Sequence, residues 1–487
     1  MSRTTRRSAA ALIFVATSGC MVGPDYARPT VGQPANLDVA LATSSTSVLL
    51  TTDAPWERWW EVFHDAQLEQ LVIEARKNNE DYHAAIARVH VARALASEAF
   101  APLLPSIGAD ANYSYEKSSR NAAVTTTPSS TTAAGTPGTP FQLWSGTGDM
   151  SYELDLWGRV RRGFEAAESD AAAVEDDRKN VEITVITDTI QTYFDLGEAE
   201  VQLAITKNAL ELRLQTLDLV KVRFDSGIAR ELELRQAEGE VASAAAQVPE
   251  ARRRRDVAEH RLAILIGRAP DVHFSGKPPA SFDLPPVVPV GIPSTLLERR
   301  PDVRAAERRL AAANARIGEA YADFFPRVTI VGNFGYASLN AGTVASYGGQ
   351  LWSIGPSIRI PIFEGGRTLA AWQAAQARTD EATALYRQTV LRAFGEVADA
   401  ISGLGNHGLA RARQVEAVNA ETRSVELATA DYKEGLTTYL SVLDSERTLL
   451  DARLALLSEE RAVLSELVQL QKALGGGWTE LQEVGQR

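Results

Sequence analysis

Two hydrophobic periods alternate along this chain. Between residues 107 and 116, Ile107, Ala109, Ala111, Tyr113 and Tyr115 take turns with Gly108, Asp110, Asn112, Ser114 and Glu116. That period of two predicts a β-strand with one apolar and one polar face. Over 143 to 156, Trp144, Met150, Tyr152, Leu154 and Leu156 lie opposite Ser145, Thr147, Asp149, Ser151, Glu153 and Asp155. A second pair occurs in the C-terminal half. Val328, Ile330, Phe334 and Tyr336 share one strand face, and Trp352, Ile354, Ile358, Ile360 and Ile362 face away from Ser353, Ser357 and Arg359. Each strand has about ten residues or more, the length that crosses a bilayer when tilted, with aromatic residues available for an interfacial girdle. The same alternation also suits a soluble sandwich with one wet face. In lipid, four strands cannot close alone, because open edges are not tolerated and single-chain barrels start at about eight strands. A membrane reading therefore requires a barrel shared between copies.

The remainder reads as long helix. No proline interrupts about Phe164 to Phe224, and Leu443, Leu450, Leu457 and Leu464 recur every seven residues, the spacing of a coiled-coil seam. Gly227 and Gly435 each interrupt a pair of helical runs and predict the turns of helical hairpins. Gly158 and the Glu364-Gly365-Gly366 run stand where a strand gives way to a helix.

These patterns occur twice. "ARALASEAFAPLLPSI" at 92–107 aligns with "ANARIGEAYADFFPRV" at 313–328 at an offset of 221. "DLWGR" and "FDSG" meet "FEGGR" and "YKEG" at an offset of 208, so 13 extra residues lie in the first copy, where the low-complexity stretch 121–140 sits. The expected organisation is an export signal at 1–19, an extended anchored segment at 20–60, a first repeat at 61–274, a Pro-rich linker at 275–293 and a second repeat at 294–487.

The export reading rests on Arg3, Arg6 and Arg7 ahead of the apolar run 9–16, which is too short to span a membrane. The run is followed by "TSGC", whose Cys20 is the one cysteine in 487 residues. It resembles the lipobox of bacterial lipoproteins, although Thr17 stands where a larger aliphatic residue is usual, and it makes Cys20 the expected site of acylation by covalent lipid such as palmitate. No other cofactor is expected. Asp and Glu number 62 against 50 Lys and Arg, a net charge of −12 that argues against nucleic acid as a partner. The basic run Arg252 to Arg255 reads as a solvated helix face. An enzyme is not expected. There is no GxSxG, HExxH or P-loop, "SGKPP" at 275–279 lacks the required Ser or Thr, and His83 and His90 read as surface or packing residues rather than metal ligands.

The chain resembles the TolC-like outer membrane factors, and in particular their NodT-type lipoprotein branch. The resemblance is carried by "GCMVGPDYARP", "WWEVFHDAQLEQLV" at 59–72, "LLERRPDVRAAERRLAAANARIGEAYADFFPRVTI" at 296–330, "PIFEGGR" at 361–367, "YLSVLDSERTLL" at 439–450 and "ALGGGW" at 473–478. It implies a mixed membrane protein: a homotrimer whose four strands per chain make a twelve-stranded β-barrel in the outer membrane, continued by a periplasmic α-helical barrel. It also implies a passive efflux duct served by a periplasmic adaptor and an inner-membrane transporter. Leu440 and Asp444, four apart on one helix face, match in position the apolar and acidic rings that close the periplasmic mouth. Glu233 falls near the same level by the 208 offset and is a further candidate for the same acidic constriction. The turns at Gly227 and Gly435 are where adaptor contact is expected. Two alternatives stay open: a duct for polypeptide secretion, and a non-conducting coiled-coil lipoprotein that tethers the outer membrane.

Overall fold

The computed structural model describes residues 21–30, 49–51, 58–117, 119, 138–271, 273–282, 287–289 and 299–476. The strands are β1 (Leu49–Thr51), β2 (Ser106–Lys117), β3 (Pro140–Leu154), β4 (Val287–Pro289), β5 (Arg327–Ser338) and β6 (Gln350–Arg359). The helices are α1 (Ala66–Asn78), α2 (Glu80–Phe100), α3 (Arg159–Asp225), α4 (Glu231–Leu265), α5 (Pro301–Ala322), α6 (Arg367–Glu434) and α7 (Tyr439–Ala473). At 67 and 68 residues, α3 and α6 are each roughly 100 Å long. Shifted by 208, the bounds of α3 and α4 become 367–433 and 439–473, within one residue of α6 and α7. Shifted by 221, β2 lands on β5.

The chain gathers into two compact units that cut across this order. One draws on Met1–Pro29, His90–Ala173 and Glu307–Ala384; the other on Thr30–Val89, Val174–Ala306 and Leu385–Arg487.

The first unit holds a four-stranded antiparallel sheet in the order β2-β3-β5-β6. Its register sets Tyr113 opposite Trp144, Trp144 opposite Ser338 and Phe334 opposite Trp352. The apolar positions of all four strands therefore share one face, and the Tyr113 and Trp144 rings meet at a tilt of 44° with centroids 4.4 Å apart. Much of that face is exposed, including Tyr115, Trp352, Ile354 and Ile358. β6 stops at Arg359, short of the expected Ile362, because the strand is an edge with no partner on its outer side to order its last residues. Among the described residues, no helix is long and apolar enough to cross a membrane.

Residues 21–29 are bound to this unit without regular secondary structure. The Val22 N–H donates to the Trp157 carbonyl (3.1 Å), and Asn314 Nδ2 donates to the Pro24 carbonyl (2.9 Å). The buried Arg162 reaches Asp25 at 2.7 Å, while Tyr26 and Arg28 both engage Glu307. Gly23 has φ +96°, and a Cβ there would lie 2.4 Å from the Gly318 Cα, so only glycine permits the approach. Cys20 lies outside the described residues.

In the second unit an aromatic cluster joins Phe63, Phe194 and Phe282, the Phe194 centroid lying 5.1 Å from each of the others. Asp65 caps α1 by accepting from the Gln67 and Leu68 N–H groups. The "SGKPP" stretch is structural: a Cβ on Gly276 would strike the backbone of Gly197, and Lys277 Nζ sits 4.5 Å from the Phe282 ring centre. Fully buried Arg178 bonds to Glu175, Glu182 and the Tyr82 hydroxyl. Removing one partner of such a network strands a buried charge at several kcal/mol, roughly 3–5. The region expected to be a bare linker contains a 3-10 turn (Pro279–Ser281) and β4, which pairs in parallel with β1.

Candidate functional site

Both hairpins of the second unit turn through glycine. Gly227 (φ +72°) follows α3 and Gly435 (φ +80°) follows α6. Each terminates its helix by the same two bonds. Ile228 and Leu436 N–H donate to the Arg223 and Asp431 carbonyls, both at 2.8 Å, and the glycine N–H groups donate to Phe224 and Tyr432. This left-handed cap satisfies carbonyls that the helix end leaves open. Immediately beyond each glycine stands an exposed apolar side chain, Ile228 or Leu436.

Behind the turns, four helix ends converge. Leu217 and Val220 of α3, Ala237 of α4, Tyr432 of α6, and Tyr439, Val442 and Leu443 of α7 form one buried cluster. Polar bonds ring it. Arg223 Nη1 donates to the Tyr432 carbonyl (2.7 Å) and the Lys433 carbonyl (3.2 Å), and its guanidinium carbon lies 4.6 Å from the Tyr432 ring centre. A cation thus sits at the carbonyl end of α6, where the helix dipole favours it. The Tyr432 hydroxyl donates to Glu233 Oε2 on α4 (3.0 Å). Thr216 of α3 donates to Glu446 of α7 (2.6 Å), and Arg447 of α7 pairs with Glu240 of α4.

The electrostatics follow from burial. Desolvation, then the bond to Glu233, push the Tyr432 hydroxyl up to about 12, so it donates throughout the neutral range. Burial and the nearby Glu446 likewise raise Tyr439 to about 12. Glu446, 6% exposed, is held above the usual carboxylate range by burial, an effect that the Thr216 bond and Arg213 oppose.

The expected gate residues occupy different places in this arrangement. Tyr439, Val442, Leu443, Glu446 and Leu449 form the buried side of α7. Leu440, 65% exposed, and Asp444, also exposed, lie on the other side, where the Asp444 carboxylate meets no hydrogen-bond or ion-pair partner among the described residues. Glu233 is half-buried and joined to Tyr432, with Arg230 3.8 Å away. Of the seam leucines, Leu443, Leu457 and Leu464 are buried and Leu450 is half-buried. Sequence reasoning missed Arg223, Tyr432, Thr216 and Glu446. The available signal was a basic and an aromatic residue within four positions of each turn glycine.

Among the described residues no group of His, Cys, Asp and Glu could hold a metal ion, and His83 contacts the Lys77 carbonyl at 3.0 Å.

A family model described as outer membrane efflux protein matches residues 71–268 and 292–476. Outer membrane protein OprJ of Pseudomonas aeruginosa is 31% identical over 473 residues, 97% of this chain and 96% of its own length. The solvent efflux pump outer membrane protein SrpC of Pseudomonas putida is 31% identical over 461 residues, 95% of this chain and 96% of its own. Among solved structures, the outer-membrane channel OprN superposes with a TM-score of 0.84 at 32% identity, covering 94% of this chain and all of that one. The Campylobacter jejuni CmeC outer membrane channel also gives 0.84, at 27% identity over 95% of this chain and 96% of that one.

Proposed function

This chain belongs to the outer membrane efflux protein family, and on that premise we propose that it is a passive duct of a tripartite efflux pump, built from three copies. It is an outer membrane protein. Its four strands supply a third of a twelve-stranded barrel, and α3, α4, α6 and α7 supply a third of a periplasmic helical barrel. The observation that carries this reading is the sheet: strands of 10 to 15 residues, an exposed apolar face, and two edges, β2 and β6, left unpaired among the described residues. Unpaired edges in lipid cost several kcal/mol per backbone group, so the sheet must close with other copies.

At the hairpin tips, Leu440 and Asp444 face away from their own chain and would meet their counterparts near a three-fold axis. Leucines there exclude water, and clustered carboxylates repel anions. Glu233 serves the same end by holding the two hairpins of one chain together. With no energy source of its own, the duct works with an inner-membrane transporter through a periplasmic adaptor, which docks at the turns bearing Ile228 and Leu436. A lipid on Cys20 anchors the extended segment 20–60 that it begins. The duplicated units 61–274 and 294–487 each contribute two strands and one long hairpin. Sedimentation and mass measurement of detergent-extracted outer membrane protein tests the assembly. A mass of three chains is expected, and a monomer that retains its fold contradicts it.

A further inference from the structure

The two free edges come with a rule for how they meet. Within one chain the second strand of the first repeat, β3, pairs with the first strand of the second repeat, β5. Gly146 stands opposite Tyr336, Tyr152 opposite Ile330 and Leu154 opposite Val328. Where copies surround an axis, the equivalent junction lies between β6 of one copy and β2 of the next. Moving β3 positions forward by 208 and β5 positions back by 221 carries the first register onto the second. We infer that β6 pairs antiparallel with β2 of the next copy with Ile354 opposite Tyr115, Ser353 opposite Glu116, Ile360 opposite Ala109 and Ile362 opposite Ile107. The inference rests on the reading of the chain as a barrel-forming trimer and deepens it to single residues.

Three observations that played no part in deriving the register agree with it. Ile362 and Ile107 are 92% and 81% exposed in the isolated chain, and the register sets these two bare side chains against each other. It does the same for Ile354 and Tyr115, at 66% and 65%. Second, β3 shifted by 208 spans 348–362, whereas β6 covers only 350–359. The residues missing at its C-terminal end are those that the register supplies with partners, so pairing extends β6 to Ile362. Third, polar stands opposite polar on the other face, as Ser353 to Glu116 and Ser357 to Asn112. A slip of one residue would set Ile354 against Glu116 or Ser114 and mix the faces throughout.

The helices carry the same rule. The Thr216–Glu446 bond joins α3 of the first repeat to α7 of the second. With Thr216 moved forward and Glu446 back by 208, it becomes Ser424 of α6 against Glu238 of α4 in the next copy, and hydroxyl still meets carboxylate. Glu238, with a side chain 41% exposed in the isolated chain, is then covered as Glu446 already is.

Disulfide trapping in native outer membranes tests the register. The pairs Ser353→Cys with Glu116→Cys and Ile354→Cys with Tyr115→Cys sample the two faces, and Glu238→Cys with Ser424→Cys samples the helices. Ser353→Cys with Ser114→Cys reports a two-residue slip, and the parent chain with Cys20 alone sets the background. The expected result is a reducible covalent trimer from the register pairs, at least about tenfold above the slipped pair, as a register pinned by one buried face requires. Trapping of the slipped pair instead overturns the register and leaves the trimer standing. So does failure of all pairs while an amine-reactive crosslinker still yields trimers. If neither chemistry yields a trimer, the assembly falls with the register.

Discussion

The Tyr432 hydroxyl, on the last turn of α6, donates to the Glu233 carboxylate in the first turn of α4 across 3.0 Å. That bond ties one hairpin of the chain to the other at the level where both turn. Arg223 fastens the same tyrosine from α3, through the carbonyls of Tyr432 and Lys433.

Removing the bond loosens the tip without opening a cavity. In Tyr432→Phe the ring stays in the cluster while Glu233 returns to water, a loss of about 1 kcal/mol, or about fivefold in the local opening equilibrium. Amide hydrogen exchange should accelerate by that factor in the last turns of α3 and α6 and stay unchanged in the sheet. Unaltered exchange at the tips would show that the bond carries no weight there.

Leu440 and Asp444 should separate into two effects, because one acts by excluding water and the other by charge. Leu440→Ala is expected to raise the closed-state current. Asp444→Asn is expected to leave that current nearly as it was and to lower the preference for cations, measured as the reversal potential across a salt gradient. Equal selectivity in Asp444→Asn and the parent would remove Asp444 from the constriction.

The tip should also tighten in acid. Glu446 is faced by Arg213 and Thr216 of α3, Glu240 of α4 and Tyr439 of its own helix, and burial raises it above the ordinary value of 4.5. The folded tip binds that proton more strongly than the unfolded chain does. Its contribution is therefore fully present below about 4.5 and is lost as pH rises through the raised value. Glu446→Gln, neutral at every pH, should flatten this dependence in hydrogen exchange of the tip. A mutant as pH-sensitive as the parent would assign the effect to another group.

Residues 21–29 bring a separate expectation, since Val22, Asp25, Tyr26 and Arg28 are held by protein contacts that need no lipid. Cys20→Ser, exported behind a signal without a lipobox, should still yield trimers in the outer membrane at reduced yield. A wholly soluble product would show that the strands do not suffice. Mass spectrometry of the mature parent should find acyl chains on residue 20, and a bare N-terminus would remove the lipid.

What could be read in advance was whatever repeats with a period. Strict alternation located β2, β3, β5 and β6, and the two turn glycines marked both hairpins, because backbone geometry limits those positions to few residue types. Contacts between elements distant in sequence were not legible. Nothing local marks Arg223 as the cap of a helix that ends some 210 residues later, or Tyr432 as the donor to Glu233. β6 ends before its alternation does for a related reason. Ile360 and Ile362 carry the alternation onward, but a strand is ordered by its neighbour as well as by its own pattern, and within one chain that neighbour is absent.

Conductance of single molecules in a planar bilayer tests the central claim, a duct shut at its hairpin tips, most directly. The parent protein should insert and hold a small, steady current, and the double variant Arg223→Ala with Tyr432→Phe, cut loose at both links to Tyr432, should pass a current several times larger through the same trimer. Silence from both proteins, with insertion verified, would contradict the account.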